Sequence, residues 1–175
     1  MKTKYEIYYD KEKTKPVTDY EVNVDGYALL KTGKFYVFGE SKVIASGEAV
    51  VVAQDEAVVK AFDKAKVIAW DEAVVKAWDE ALVISWGEAW VKAFFNAKVV
   101  AQDEAVVKAF DNAKVVAWDE ALVISWGEAW VEAFNEAEVV AYDNSIVSAH
   151  DNSKLWATRT AKIINLRVNK CQNPS

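Results

Sequence analysis

From Ser41 to Ala161 a small residue, alanine or serine, stands at every fourth position without interruption. Between alternate pairs lies a valine, at Val43, Val51, Val59 and every eighth residue on to Val147, followed by Leu155 and Ile163. The unit is therefore an octad, small-x-Val-x-small-x-turn-x, as in AVVKAWDE from Ala73 to Glu80. On a helix, alanines four apart would drift by about 40° per step, so neither they nor the valines would hold one face. On a strand, positions one, three and five point the same way, and small-Val-small becomes a continuous inward face. Position seven is Asp55, Asp63, Asp71, Asp79, Gly87, Asp103, Asp111, Asp119, Gly127, Asn135 and Asp143, types that accept positive φ. The pattern predicts strand and turn in alternation: an all-β solenoid.

Position four fixes the size of the coil. Stepping by sixteen gives Lys60, Lys76, Lys92, Lys108 in one series and Val52, Ile68, Ile84, Val100, Val116 in the other, whereas stepping by twenty-four mixes them. An inner layer of alanine and valine is also too thin for a triangular bore. We expect a flattened two-sheet coil of sixteen residues, about eight coils in all, with Val at position three as the core ladder. Longer copies respect octads but not coils. Ala77–Phe94 recurs at Ala117–Phe134 with Lys92 replaced by Glu132, a shift of 40 residues. An odd number of octads moves that copy to the opposite face. Val51–Val67 recurs 48 residues on, at Val99–Val115, with Lys64 replaced by Asn112.

Residues 1–32 do not follow the octad. Lys4–Tyr9 and Val17–Val24 read as two strands with a turn between them, ended by Pro16, and Asp25-Gly26 marks another turn. The register enters in degenerate form at Gly33, Phe35, Val37 and Gly39. A solenoid end needs cover, because an open sheet edge offers unpaired backbone groups. The expected divisions are an N-terminal β cap at 1–40, the solenoid at 41–164 and a polar tail at 165–175.

Segments such as AYDNSIVSAHDNSKLWA, from Ala141 to Ala157, resemble the octapeptide arrays of type A-x-V-x-A-x-D-N in uncharacterised proteins of bacterial and phage genomes. The resemblance spans residues 33 to 164 and implies a β-solenoid with no established activity. This chain differs in carrying Trp, Phe and Val at outward positions, where Ser, Thr and Tyr are usual in such arrays.

Those outward positions are the candidate interaction residues. Position six runs Phe62, Trp70, Trp78, Trp86, Phe94, Phe110, Trp118, Trp126, Phe134 and Tyr142, and position two adds Trp90 and Trp130. Three readings follow: aromatic ladders that stabilise neighbouring rungs, a buried homomeric interface, or a platform for a glycan. Lysines at 60, 76, 92 and 108 oppose self-pairing of their own face. The expected contact is therefore a face-to-face dimer, or a higher oligomer, through Ile68, Ile84, Val100 and Val116, with Trp70, Trp78, Trp86, Trp118 and Trp126 as further contact residues. The functional expectation is a structural or interaction repeat protein, with a carbohydrate-binding module as the alternative.

Composition narrows the field further. Of 175 residues 53% are apolar, yet charges break every apolar run well short of the roughly 18 residues of a membrane span. Net charge is −6, which argues against nucleic acid as partner. Lys154, Arg159, Lys162, Arg167 and Lys170 gather near the C-terminus and read as a basic cap over the last coil. The opening MKTKYEIYYDKEK has no apolar signal core, so a cytoplasmic location is the default expectation. Cys171 is the single cysteine and reads as an incidental thiol. Position-eight glutamates beside the aspartates read as turn chemistry and solvation. A calcium β-roll needs glycine-rich turns, and the chain has six glycines; neither metal nor cofactor is expected. An ice-binding face would need rows of threonine, which the array lacks. His150 reads as a surface residue without a nucleophile beside it. No acid-base pair stands apart from the repeat, so catalysis is not expected.

Overall fold

The computed structural model describes residues 5–166, which form an all-β solenoid with no helix among them. Strands β1 (Glu6–Tyr8), β2 (Ala28–Leu30) and β3 (Lys34–Phe38) come first. Fifteen strands of four residues each follow, β4 (Lys42–Ala45) through β18 (Lys154–Ala157), and then β19 (Lys162–Leu166). Odd-numbered strands build a ten-stranded sheet and even-numbered ones a nine-stranded sheet. The chain thus crosses between sheets at every turn. Each array strand pairs in parallel with the strand one coil of sixteen residues away, Val58 beside Val74 and Val59 beside Val75.

The backbone accounting explains why eight residues suffice. Amides at positions two and six donate to the carbonyls of positions one and five in the coil before, as Val58 does to Ser41 and Phe62 to Ala45, both at 2.9 Å. Within most turns the next position-one amide donates back to position six, as Ala57 does to Gln54 at 3.2 Å. Position seven takes positive φ throughout, from Asp55 at 58° to Asp151 at 54°. Its carboxylate also reaches the rung before, where Asp63 Oδ2 accepts the amide of Gly47 at 3.0 Å and Asp103 Oδ2 that of Gly87 at 3.3 Å. Aspartate here both permits its own turn and caps the preceding one.

The core is one layer thick. Valines at position three from Val43 to Val147 are at most 1% exposed, and the alanines beside them are fully buried. Burying each valine contributes about 1.5–3 kcal/mol, and alanine on either side lets the two sheets approach without a void. Ser85 and Ser125 replace alanine in this layer. Ser85 Oγ lies 3.4 Å from the Val100 carbonyl, whereas buried Ser125 Oγ has no hydrogen-bond partner.

Both ends depart from expectation. At the N-terminus Lys4–Tyr9 contains β1, which pairs antiparallel with β3. Val17–Val24, expected as a strand, makes only one isolated bridge, Val22 with Ala28. It serves as cover: Val17 is buried, and Tyr20 meets Tyr5 edge to face at 5.5 Å. The coil also begins sooner than Gly33, because β2 already pairs with β4, Ala28 beside Val43. At the other end the valine ladder stops at Leu155. Ile163 is 42% exposed, with no further rung above it among the described residues. A bulge between Val147 and Ser148 sets Ser148 beside Asn165 rather than Ile164. Of the expected basic cap, Lys154 binds Glu138 at 2.8 Å; Arg167, Lys170 and Cys171 lie outside the described residues. Among those residues no helix is long and apolar enough to cross a membrane.

Candidate interaction surfaces

Because the inner layer is nearly uniform, most of what distinguishes one rung from another is on the outside. The ten-stranded sheet brings Val52, Ile68, Ile84, Val100 and Val116 into one column over five adjacent rungs. Val52 is buried, and the other four are half-buried. Position two beside them alternates less regularly, with Lys66, Leu82, Lys98 and Lys114. The column ends at Glu132, where Lys114, Val116, Trp130 and Glu132 line a shallow recess of about 310 Å³.

Aromatic residues stand at the corner where strand becomes turn. On the nine-stranded sheet Phe62, Trp78, Phe94, Phe110, Trp126 and Tyr142 stack in one column, with centroids 4.7–5.6 Å apart and planes within 12°. On the ten-stranded sheet the column is cut in two. Trp70 stacks on Trp86 at 5.1 Å, Gln102 interrupts, and Trp118, Phe134 and His150 follow at 4.2 and 4.7 Å. The candidate tryptophans therefore divide: Trp70, Trp86 and Trp118 flank the aliphatic column, while Trp78 and Trp126 belong to the other sheet. The rings turn their faces to one another and present edges to solvent. Sequence periodicity located these columns but carried no information on ring orientation.

Electrostatics also separate the two sides. Lys60, Lys76, Lys92 and Lys108 lie in register on the nine-stranded sheet. Lys60 sits over the Tyr27 ring at 4.0 Å, and Lys108 is 5.7 Å from that of Trp90. Glutamates at position eight divide between the two ridges of turns. The ridge leading out of the ten-stranded sheet carries Glu40, Glu56, Glu72, Glu88, Glu104, Glu120 and Glu136, all exposed. The opposite ridge has Glu48, Lys64, Glu80, Asn96, Asn112 and Glu128. Sorting the glutamates by sixteen would have revealed this split; sorting by eight concealed it. In the cap, Asp10 accepts the Thr14 hydroxyl and the amides of Thr14 and Lys15, and those bonds, the hydroxyl's first, hold its carboxyl below the ordinary range.

Two residues escaped the repeat pattern. Phe95 occupies position seven with φ of 55° and is 54% exposed, in a conformation that costs a bulky side chain about 1–2 kcal/mol. His150, expected to lack a nucleophilic neighbour, has one: Ser148 Oγ lies 2.9 Å from its Nε2. Positions four and six share a face, so the spacing itself was the available signal. Glu132 lies beside Ser148 on the next strand, and no carboxylate bonds the second imidazole nitrogen among the described residues. The pair thus lacks the third group that orients a catalytic histidine.

Comparison with protein-family models, curated proteins and solved structures finds no match to the chain. Any functional reading therefore rests on these surfaces alone.

Proposed function

We propose that the protein is a non-catalytic structural repeat protein that associates with a second copy through the face of its ten-stranded sheet. The supporting observation is the half-buried aliphatic column Ile68, Ile84, Val100 and Val116, in register and continuous with buried Val52. Trp70, Trp86 and Trp118 border it on one side. A flat apolar strip of this kind gains most by meeting another flat strip, because its rungs are equally spaced in both copies. The nine-stranded face is less suited to that contact, since its four lysines fill the position-four column itself, whereas Lys66, Lys98 and Lys114 of the ten-stranded face stand at position two beside the strip. Replacing Ile84 and Val100 together with lysine is expected to leave the fold intact and give a monomer by sedimentation. A wild-type chain already monomeric at high micromolar concentration would remove this reading. The alternative of a glycan on the ring columns has less support, because sugar stacking needs ring faces and the columns present edges. A tryptophan emission shift with a soluble glycan would reverse that preference.

A further inference from the structure

The repeat creates two rows of opposite charge on different sides of the molecule, and both keep the same period. On the nine-stranded sheet the four lysines are flanked at position two by Val58, Val74, Trp90 and Val106 and at position six by aromatic rings. No carboxylate shares their face over those rungs. The ion pairs among the described residues are Lys11–Glu12, Lys13–Glu6 and Lys154–Glu138, so the four ammonium groups have no carboxylate counter-ion there. Like charges in register on neighbouring strands destabilise a sheet, a repulsion that the Tyr27 ring beneath Lys60 and the Trp90 ring near Lys108 offset in part. A chain of net charge −6 thus maintains a concentrated positive row at a cost.

The other half of the match is the acidic ridge. Its glutamates recur every sixteenth residue from Glu40 to Glu136, exposed and likewise without ion pairs among the described residues. We infer that the lysine row of one copy receives the glutamate ridge of another. The rung spacing, about 4.8 Å, is common to both rows because both come from the same ladder. A row of acids on one copy therefore meets a row of bases on the next, tooth for tooth. Seven acids against four bases also let the neighbour slide by whole rungs without losing a pair. The contact is heterologous: it leaves a free ridge on one copy and a free lysine row on the other, and so extends into a lateral strip rather than closing as a dimer. It uses neither Ile84 nor Val100 and stands independently of the sheet-face dimer.

Two neutralised variants of the full chain test this contact. One carries Lys60→Gln, Lys76→Gln, Lys92→Gln and Lys108→Gln; the other neutralises all seven ridge positions, Glu40→Gln, Glu56→Gln, Glu72→Gln, Glu88→Gln, Glu104→Gln, Glu120→Gln and Glu136→Gln. Both sets are on the surface, and matching melting curves confirm that each variant is folded. Wild-type protein at low ionic strength is expected to grow in mass with concentration and to lose that growth in high salt. Each variant alone should need about tenfold more protein for the same growth, the sum expected of four exposed pairs. Mixed in equal amounts, the variants should form a one-to-one species absent from either alone, because one retains only the ridge and the other only the row. Salt-independent mass in the wild type, or a mixture no heavier than its components, overturns the proposal. So does binding of polyglutamate by a wild-type chain that shows no association of its own. Repeating the series with Ile84→Ser and Val100→Ser separates failure here from failure of the sheet-face dimer.

Discussion

The two sheets share an inner layer and differ on the outside. Both turn alanine and valine inward with almost no exposure, yet one carries an unbroken column of six rings and a row of lysines, the other an interrupted ring column beside an aliphatic strip. This contrast means that the fold is specified by positions one, three, five and seven. The remaining positions are free to write a surface. In an ordinary domain a residue's packing and its surface role are entangled, but here they fall on different octad positions.

The strongest test of that separation strikes the shared layer. Val83→Asp places a carboxyl group between the sheets, where even its neutral form should cost about 2–7 kcal/mol and its ionised form more, read as a lower denaturation midpoint. An unchanged melt would mean that position three does not face inward. Gln102→Trp addresses the unequal ring columns: it joins Trp86 to Trp118 and should add about 1–3 kcal/mol through two new ring contacts, with increased exciton coupling in the near-ultraviolet spectrum. If stability falls, the interrupted column is a packing requirement rather than a gap. Ser125→Ala should stabilise by about 1 kcal/mol, since its hydroxyl is buried without a partner. Ser85→Ala should gain less, because that hydroxyl has the Val100 carbonyl. The smallest effect is expected at Phe95→Asn, a gain of about 0.5–1 kcal/mol from relieving positive φ. An equal gain from the same change at Phe134, which is stacked and half-buried, would refute the backbone argument.

Much of this was legible in the sequence for a physical reason: each rung solves the same steric problem, so one solution recurs. Position-seven aspartates announced their φ, and the series Lys60, Lys76, Lys92 and Lys108 announced the sixteen-residue coil. The ends were not legible because they solve different problems once each. Val17–Val24 has the β-branched and aromatic composition of a strand, but it covers the first coil instead of pairing along a sheet. Ile163 holds the right octad position, but no described rung lies above it to bury it. The Ser148–His150 contact and the acidic ridge were encoded in spacing, at two and sixteen residues, and became visible once the strand face and the coil were known.

Because the coil holds two octads, the chain has a parity. Removing a single octad changes nothing that the core can sense, yet every outward residue after the cut is transferred to the other sheet. The internal copies already show this, for Trp78 and its duplicate Trp118, forty residues on, stand in different columns. Excising Ala97–Glu104 would remove Gln102 and deliver Phe110, Trp126 and Tyr142 directly behind Trp70 and Trp86. Trp118, Phe134 and His150 would in turn follow Phe62, Trp78 and Phe94. One deletion of eight residues would thus exchange an interrupted and an intact column for two intact ones, a recombination of surfaces that a fold without this two-beat repeat has no means to perform.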